Sequence, residues 1–220
     1  MRQLHLPMRV WDAPTRLFHW VLIVLIATSW VTQYENWMEW HKLSGYSILT
    51  LLLFRLAWGF VGSDTARFAR FLKSPLAALR HVSHITRREP DYEIGHNAAG
   101  GWMVLVMLLL LLVQAVSGLF SNDDIDTEGP LTNQVSKEQS DWFSHIHSIN
   151  FTLIEIVIAL HVLAIIAYAV LKRQDLVRPM VTGKKRMPGA TRPPRMASSI
   201  LAVVLLIVAA GVVAALVRYG

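Results

Sequence analysis

The chain has 220 residues, a formal net charge of +6, no cysteine, 54% hydrophobic residues and a mean hydropathy of +0.41. That composition excludes an ordinary soluble domain, and the missing cysteines exclude disulfides, iron–sulfur clusters and covalently attached haem. The positive charge gives no support to nucleic-acid binding, since no basic patch is interleaved with base-stacking aromatics on a soluble face.

Five apolar segments follow one another, about Leu17 to Tyr34, Ser44 to Val61, Ala99 to Phe120, Ile149 to Leu171 and Ala197 to Val217. Each approaches the roughly 20 residues that an α-helix needs to cross about 30 Å of hydrocarbon, so the fold class is all-α integral membrane with five transmembrane helices. The first segment is read as a span rather than a cleaved leader: Asp12 and Pro14 lie just before it, His19 and Trp20 lie within it, and no small-x-small cleavage site follows. A short connection from Glu35 to His41 carries Trp37 and Trp40, an interfacial aromatic pair. The second segment holds Gly45 and Arg55. Beyond it, residues of about 64–88 set Phe68, Phe71, Leu72, Leu79 and Val82 at roughly helical spacing among basic residues, the pattern of an amphipathic segment lying on anionic lipid. Ser74-Pro75 interrupts that segment with a cap and first turn that restart the helix.

The third segment contains Gly100, Gly101 and Gly118, and the stretch from Ser121 to Ser144 after it reads as an acidic, solvated loop. The fourth segment contains Glu155, the one carboxylate inside an apolar run. From Gly183 to Arg195 the chain is rich in Pro, Gly and basic residues and reads as a linker. The predicted organisation is therefore a four-helix domain over residues 1–186, a basic linker over 187–196 and an additional C-terminal span over 197–220, which carries no histidine. Of the 21 Lys and Arg residues, 17 fall in residues 1–16, 62–95 and 172–196, which places the N-terminus in the cytoplasm and the C-terminus outside.

His147 and His161 are fourteen residues apart, so on a helix they lie roughly 21 Å apart and within about 40° of one face. They cannot share one metal ion. By depth, His41 pairs with His147 on the outer side and His19 with His161 on the inner side, the inner match leaving roughly 5 Å for helix tilt to absorb if Asp12 caps an earlier helix start. Two axial imidazoles from opposing helices, without further protein ligands, suit haem b, whose porphyrin supplies four nitrogens. Zinc or copper asks for three or four protein ligands at one point.

Other residues fit this frame. Arg55 lies fourteen residues after His41, at the level of the inner haem, where a propionate would pair with it and snorkelling is the alternative. Gly45 and the glycines of the third segment make room for a flat macrocycle or for another helix. Glu155 suits either a proton path for quinol chemistry or a hydrogen bond to a neighbouring helix. His145 is turned about 160° from His161 and is second to His147 as a ligand. His5, His81 and His84 read as solvated, and His96 as a residue near a propionate or quinone.

The strings Arg16-Leu17-Phe18-His19-Trp20, Trp40-His41-Lys42-Leu43-Ser44-Gly45 and Gly95-His96-Asn97, then His147, His161 and Pro179-Met180-Val181-Thr182-Gly183, resemble the bacterial cytochrome b561 and nickel-hydrogenase b-type cytochrome family over about residues 9–186. The resemblance implies a four-helix bundle holding two haems b, with the ligand roles falling on His19, His41, His147 and His161, and electron exchange with the quinone pool of the bacterial inner membrane. The short first connection and the fifth span depart from the family pattern. Three functions follow: an electron relay between a periplasmic redox protein, such as a hydrogenase or c-type cytochrome, and quinone; a self-contained superoxide:quinone oxidoreductase; or a non-redox membrane transporter. The outer acidic residues would repel a small anion and attract a basic protein, which favours the relay.

Overall fold

A computed structural model of the chain describes residues 5–84 and 93–220, so the predicted amphipathic segment beyond His84 and the side chain of His5 lie outside the described residues. In chain order the elements are β1 (His5–Arg9), α1 (Ala13–Tyr34), α2 (Met38–Val61), α3 (Phe68–Phe71), α4 (Pro75–Ser83), α5 (Ala98–Phe120), α6 (Lys137–Ala167), α7 (Val177–Thr182), β2 (Lys184–Pro188) and α8 (Ser199–Tyr219). α6 runs into one wider π-type turn, Tyr168–Lys172. Five of these helices, α1, α2, α5, α6 with its continuation, and α8, are long and apolar enough to cross a membrane. The chain is a helical membrane protein, as its hydropathy predicts.

Two compact units divide the chain. One, here the strand unit, comprises the described parts of Met1–Leu17, Ala57–Val106 and Ile158–Ala202; the other, the cavity unit, comprises Phe18–Leu56, Met107–Val157 and Val203–Gly220.

In the strand unit Asp12 starts α1. Its Oδ1 accepts the Thr15 N–H at 2.7 Å and its Oδ2 accepts the indole N–H of Trp58 at 3.2 Å, so one buried carboxylate caps α1 and anchors α2. Gly183 ends α7 in the left-handed region, φ 78°, and its carbonyl accepts the Val10 and Trp11 N–H groups. A side chain there would bring Cβ within 2.9 Å of the Trp11 carbonyl oxygen, so the position requires glycine for both reasons. Arg16 donates to the Val181 carbonyl, tying the two sequence strings that bracket the predicted domain.

β1 and β2 pair antiparallel, with His5 opposite Pro188 and Arg9 opposite Lys184. The stretch from Gly183 to Arg195 is therefore not a linker throughout: its first residues form a strand, and Met187 is buried. Downstream, the Ala197 N–H reaches Ser63 Oγ and the Arg195 N–H reaches Asp64, so this stretch is held along its length. α4 begins as predicted at Ser74, whose hydroxyl accepts the Ala77 N–H. His81, expected to be solvated, instead meets the Tyr168 hydroxyl at 2.6 Å, and Asn97 donates to the same oxygen at 2.9 Å.

In the cavity unit the loop after α5 is shorter than expected. α6 starts at Lys137 because Ser136 and Gln139 exchange side-chain to backbone hydrogen bonds, a capping box that adds about three turns before the apolar run. Asn122 and Ser144 bond reciprocally, N–H to Oγ and Oγ to C=O, both at 2.9 Å, which fastens the loop to α6. α8 packs by Val213 against Leu49 of α2 and Leu119 of α5, all buried.

Asp12→Ala is expected to cost about 1–3 kcal/mol, since it removes a helix cap and leaves a buried indole N–H unsatisfied. A lower midpoint in a thermal melt, with Asp12→Asn retaining most of the stability, checks this.

Candidate functional site

In the cavity unit the rings of His41 and His147 approach each other in the lining of one cavity. A turn of only Glu35–Trp37, with Asn36 at φ 58°, folds α2 back along α1 and brings His41 against Ser29. The His41 Nδ1–H donates to the Ser29 carbonyl at 2.9 Å. Across the site, the His147 Nδ1–H donates to the Gln114 carbonyl of α5 at 3.0 Å. Both rings thus have Nδ1 occupied by a backbone acceptor, which fixes the tautomer and leaves each Nε2 with its lone pair for a metal.

The ring centroids of His41 and His147 are 6.2 Å apart and the rings are twisted by 79°. Two imidazoles flanking one first-row metal ion, with metal–nitrogen bonds of about 2 Å and each centroid about 1 Å further, have centroids roughly 6 Å apart. The pair therefore fits a bis-histidine iron. Among the described residues no three His, Asp or Glu side chains form a metal-holding cluster, and a porphyrin, which brings four nitrogens of its own, asks for only two protein ligands.

The surroundings suit a flat macrocycle. A cavity of about 330 Å³ is bounded by α1, α2, α5 and α6, with apolar walls that include Ile26, Ile48, Leu111 and Phe151. Gly45 lines it, and a Cβ there would meet nothing within 4 Å. Gly118 faces His147, where a Cβ would lie 2.9 Å from the ring Cε1. The other glycines of α5 serve packing: a Cβ at Gly101 would lie 2.8 Å from the Phe71 carbonyl oxygen, and the Gly100 N–H bonds Asn97 Oδ1. Lys42, Asp123 and Glu128 also line the cavity. Backbone N–H groups of Thr127 and Ile125 hold the Asp123 carboxyl below the usual range, so it stays ionised at neutral pH.

The remaining expected residues take varied places. Arg55 is buried on α2, at 2% exposure. His19, on α1, is half-buried beside Trp20 in the cavity unit. His161, on α6, is half-buried in the strand unit. His145 is exposed. His96 packs between the rings of Trp11 and Phe71, at 4.7 and 4.9 Å. Glu155 is exposed on α6.

The sequence reading missed the groups that aim the histidines. Gln114 does so through its carbonyl, and Asn150 holds it, donating to Gln114 Oε1 at 2.7 Å and to the Leu110 carbonyl at 2.9 Å. The signal was present: an uncharged amide inside an apolar span is retained only where it finds a partner.

Gly118→Val is expected to displace the His147 ring and lower haem content at this site severalfold, whereas Gly211→Ala, on α8 and away from the cavity lining, leaves haem content unchanged. Haem-to-protein ratios of the purified variants check this.

Residues 10–183 match the family model of prokaryotic cytochrome b561. The chain is 22% identical over 214 residues, covering 80% of this chain and 87% of the relative, to a probable Ni/Fe-hydrogenase B-type cytochrome subunit of Rhizobium leguminosarum bv. viciae. No solved structure matches it. With a matched span that includes His19, His41, His147 and His161, the chain belongs to the prokaryotic cytochrome b561 family, and is a multi-pass membrane b-type cytochrome of electron transfer.

Proposed function

We propose that this cytochrome holds two haems b and relays electrons between a periplasmic redox protein and the quinone pool of the bacterial inner membrane. The observation that carries the reading is the His41–His147 pair, spaced for one iron and fixed by backbone carbonyls on both sides. Haem b would supply a one-electron couple when bound, and His41 and His147 would hold it.

His41 and His147 hold the outer group. His19 and His161 hold the inner one, an assignment that rests on helix rise along the sequence. Arg55 is the cation for an inner propionate. The N-terminus lies in the cytoplasm, as the distribution of Lys and Arg supports.

The partner side is set by charge. Asp123 and Glu128 line the cavity, and Glu35 and Glu39 are exposed beside the first turn. That surface favours a basic protein and disfavours superoxide. The relative's printed description, a hydrogenase cytochrome subunit, supports a protein partner.

His147→Ala and His161→Ala are each expected to halve the haem-to-protein ratio, with different spectra for the two variants. An unchanged ratio in both overturns the ligand assignment. In lipid nanodiscs, oxidation of the quinol-reduced protein by a cationic c-type cytochrome should slow severalfold as ionic strength rises past about 0.1 M, where the screening length is about 10 Å. Faster reduction by superoxide than exchange with the cationic protein would replace the relay with the oxidoreductase reading.

A further inference from the structure

The cavity that His41 and His147 line is mostly apolar, and few charged groups reach it. Two are carboxylates of the loop after α5, Asp123 and Glu128, and backbone N–H groups keep Asp123 ionised. Among the described residues that line it, Lys42 is the one Lys or Arg. It directly follows His41 on α2, and its side chain is 27% exposed, neither free in solvent nor sealed in the core. Its ammonium pairs at 2.6 Å with Glu39, one turn earlier, whose side chain is 88% exposed.

Haem b brings two propionate carboxylates with it, and a charge taken into apolar surroundings has to be answered there. The wall that carries Asp123 and Glu128 repels them. An ammonium holds a carboxylate about twice as strongly as a neutral donor does. We infer that Lys42 is the cation for a propionate of the outer haem, and that it exchanges Glu39 for that propionate when the haem binds. The inference rests on the outer-haem reading above, and adds to it that the charged edge of the macrocycle meets α2 and not the loop after α5.

The exchange costs little. Glu39 stands almost wholly in water, where an ion pair contributes little and a released carboxylate regains its hydration. It lies in the first turn of α2, a place the helix dipole favours for a carboxylate with or without Lys42. The flexible four-carbon stem of lysine lets the ammonium change partners while the backbone beside His41 stays in place. A cation held there also favours the reduced iron, which carries one positive charge fewer than the oxidised iron.

Redox titration of the purified full chain in lipid nanodiscs tests this, the outer haem being the component missing from His147→Ala. Lys42→Gln is expected to lower its reduction equilibrium about tenfold, which for a one-electron couple is about 59 mV downward. The propionate bending band in its resonance Raman spectrum should shift as well. Lys42→Arg, Glu39→Gln and Lys137→Gln, the last removing the same charge from outside the cavity lining, should each stay within about twofold of the parent. If Lys42→Gln loses the outer haem outright, retention in Lys42→Arg supports the charge as the cause, and loss in both overturns it. An unchanged potential in Lys42→Gln, or an equal fall in Glu39→Gln or Lys137→Gln, would also overturn the assignment. A His147→Ala variant that lacks no component would instead remove the outer-haem reading itself.

Discussion

The structure turns on two hydrogen bonds from imidazole Nδ1 to helical carbonyls, Ser29 for His41 and Gln114 for His147. A helical carbonyl already accepts one N–H from within its helix but has a second lone pair, so it can orient a ring on a neighbouring helix without breaking its own ladder. Each bond decides which nitrogen faces the cavity. Everything else in the cavity unit brings those two carbonyls and two rings into register. A three-residue turn sets α2 against α1, and the Asn122–Ser144 bonds set the start of α6 against the end of α5. Two helical hairpins thereby present one ligand each.

Between lipid-embedded helices the hydrophobic effect gives little, because tails are as apolar as leucine, and close packing has to hold the elements instead. That explains why the site is rich in tight contacts of small groups, Gly118 under His147 above all. It also gives α8 a part. The sequence suggests an appended helix, yet Val213 packs on Leu49 and Leu119, and Leu119 is itself a cavity-lining residue. The fifth helix therefore backs a cavity wall while supplying no ligand.

The spans were legible because about twenty apolar residues have few other fates, and His41 and His147, which face one cavity, because ionisable groups are rare in such segments. The start of α1 at Asp12 and the restart at Ser74 were readable from cap chemistry. The same chemistry at Ser136 and Gln139 marks the start of α6, although a run of acidic residues made that stretch look like loop. Pairing of β1 with β2 was not legible, since it joins residues about 180 apart and no local pattern marks either as a strand. His81 was hidden for a related reason: its partner, Tyr168, lies on the π-type turn, where the helical register shifts.

The length of α6 connects the site to its surroundings. With its π-type continuation the helix has 36 residues, where about 20 suffice to cross hydrocarbon. The excess lies mainly at the start, before Ile149, so His147 sits at the edge of the apolar run rather than within it. On the proposed assignment, a ligand at that boundary would bring its metal close to the polar surface, beside a loop whose carboxylates are locally held, Asp123 by backbone N–H groups and Asp124 by Lys137. Electron tunnelling weakens steeply with distance, so under the proposed function a partner on that side would gain from a histidine placed at this edge of the apolar run. The early start of α6, set by one capping box, therefore places His147 well inside the helix rather than at a fraying end, where its ring is held on the Gln114 carbonyl.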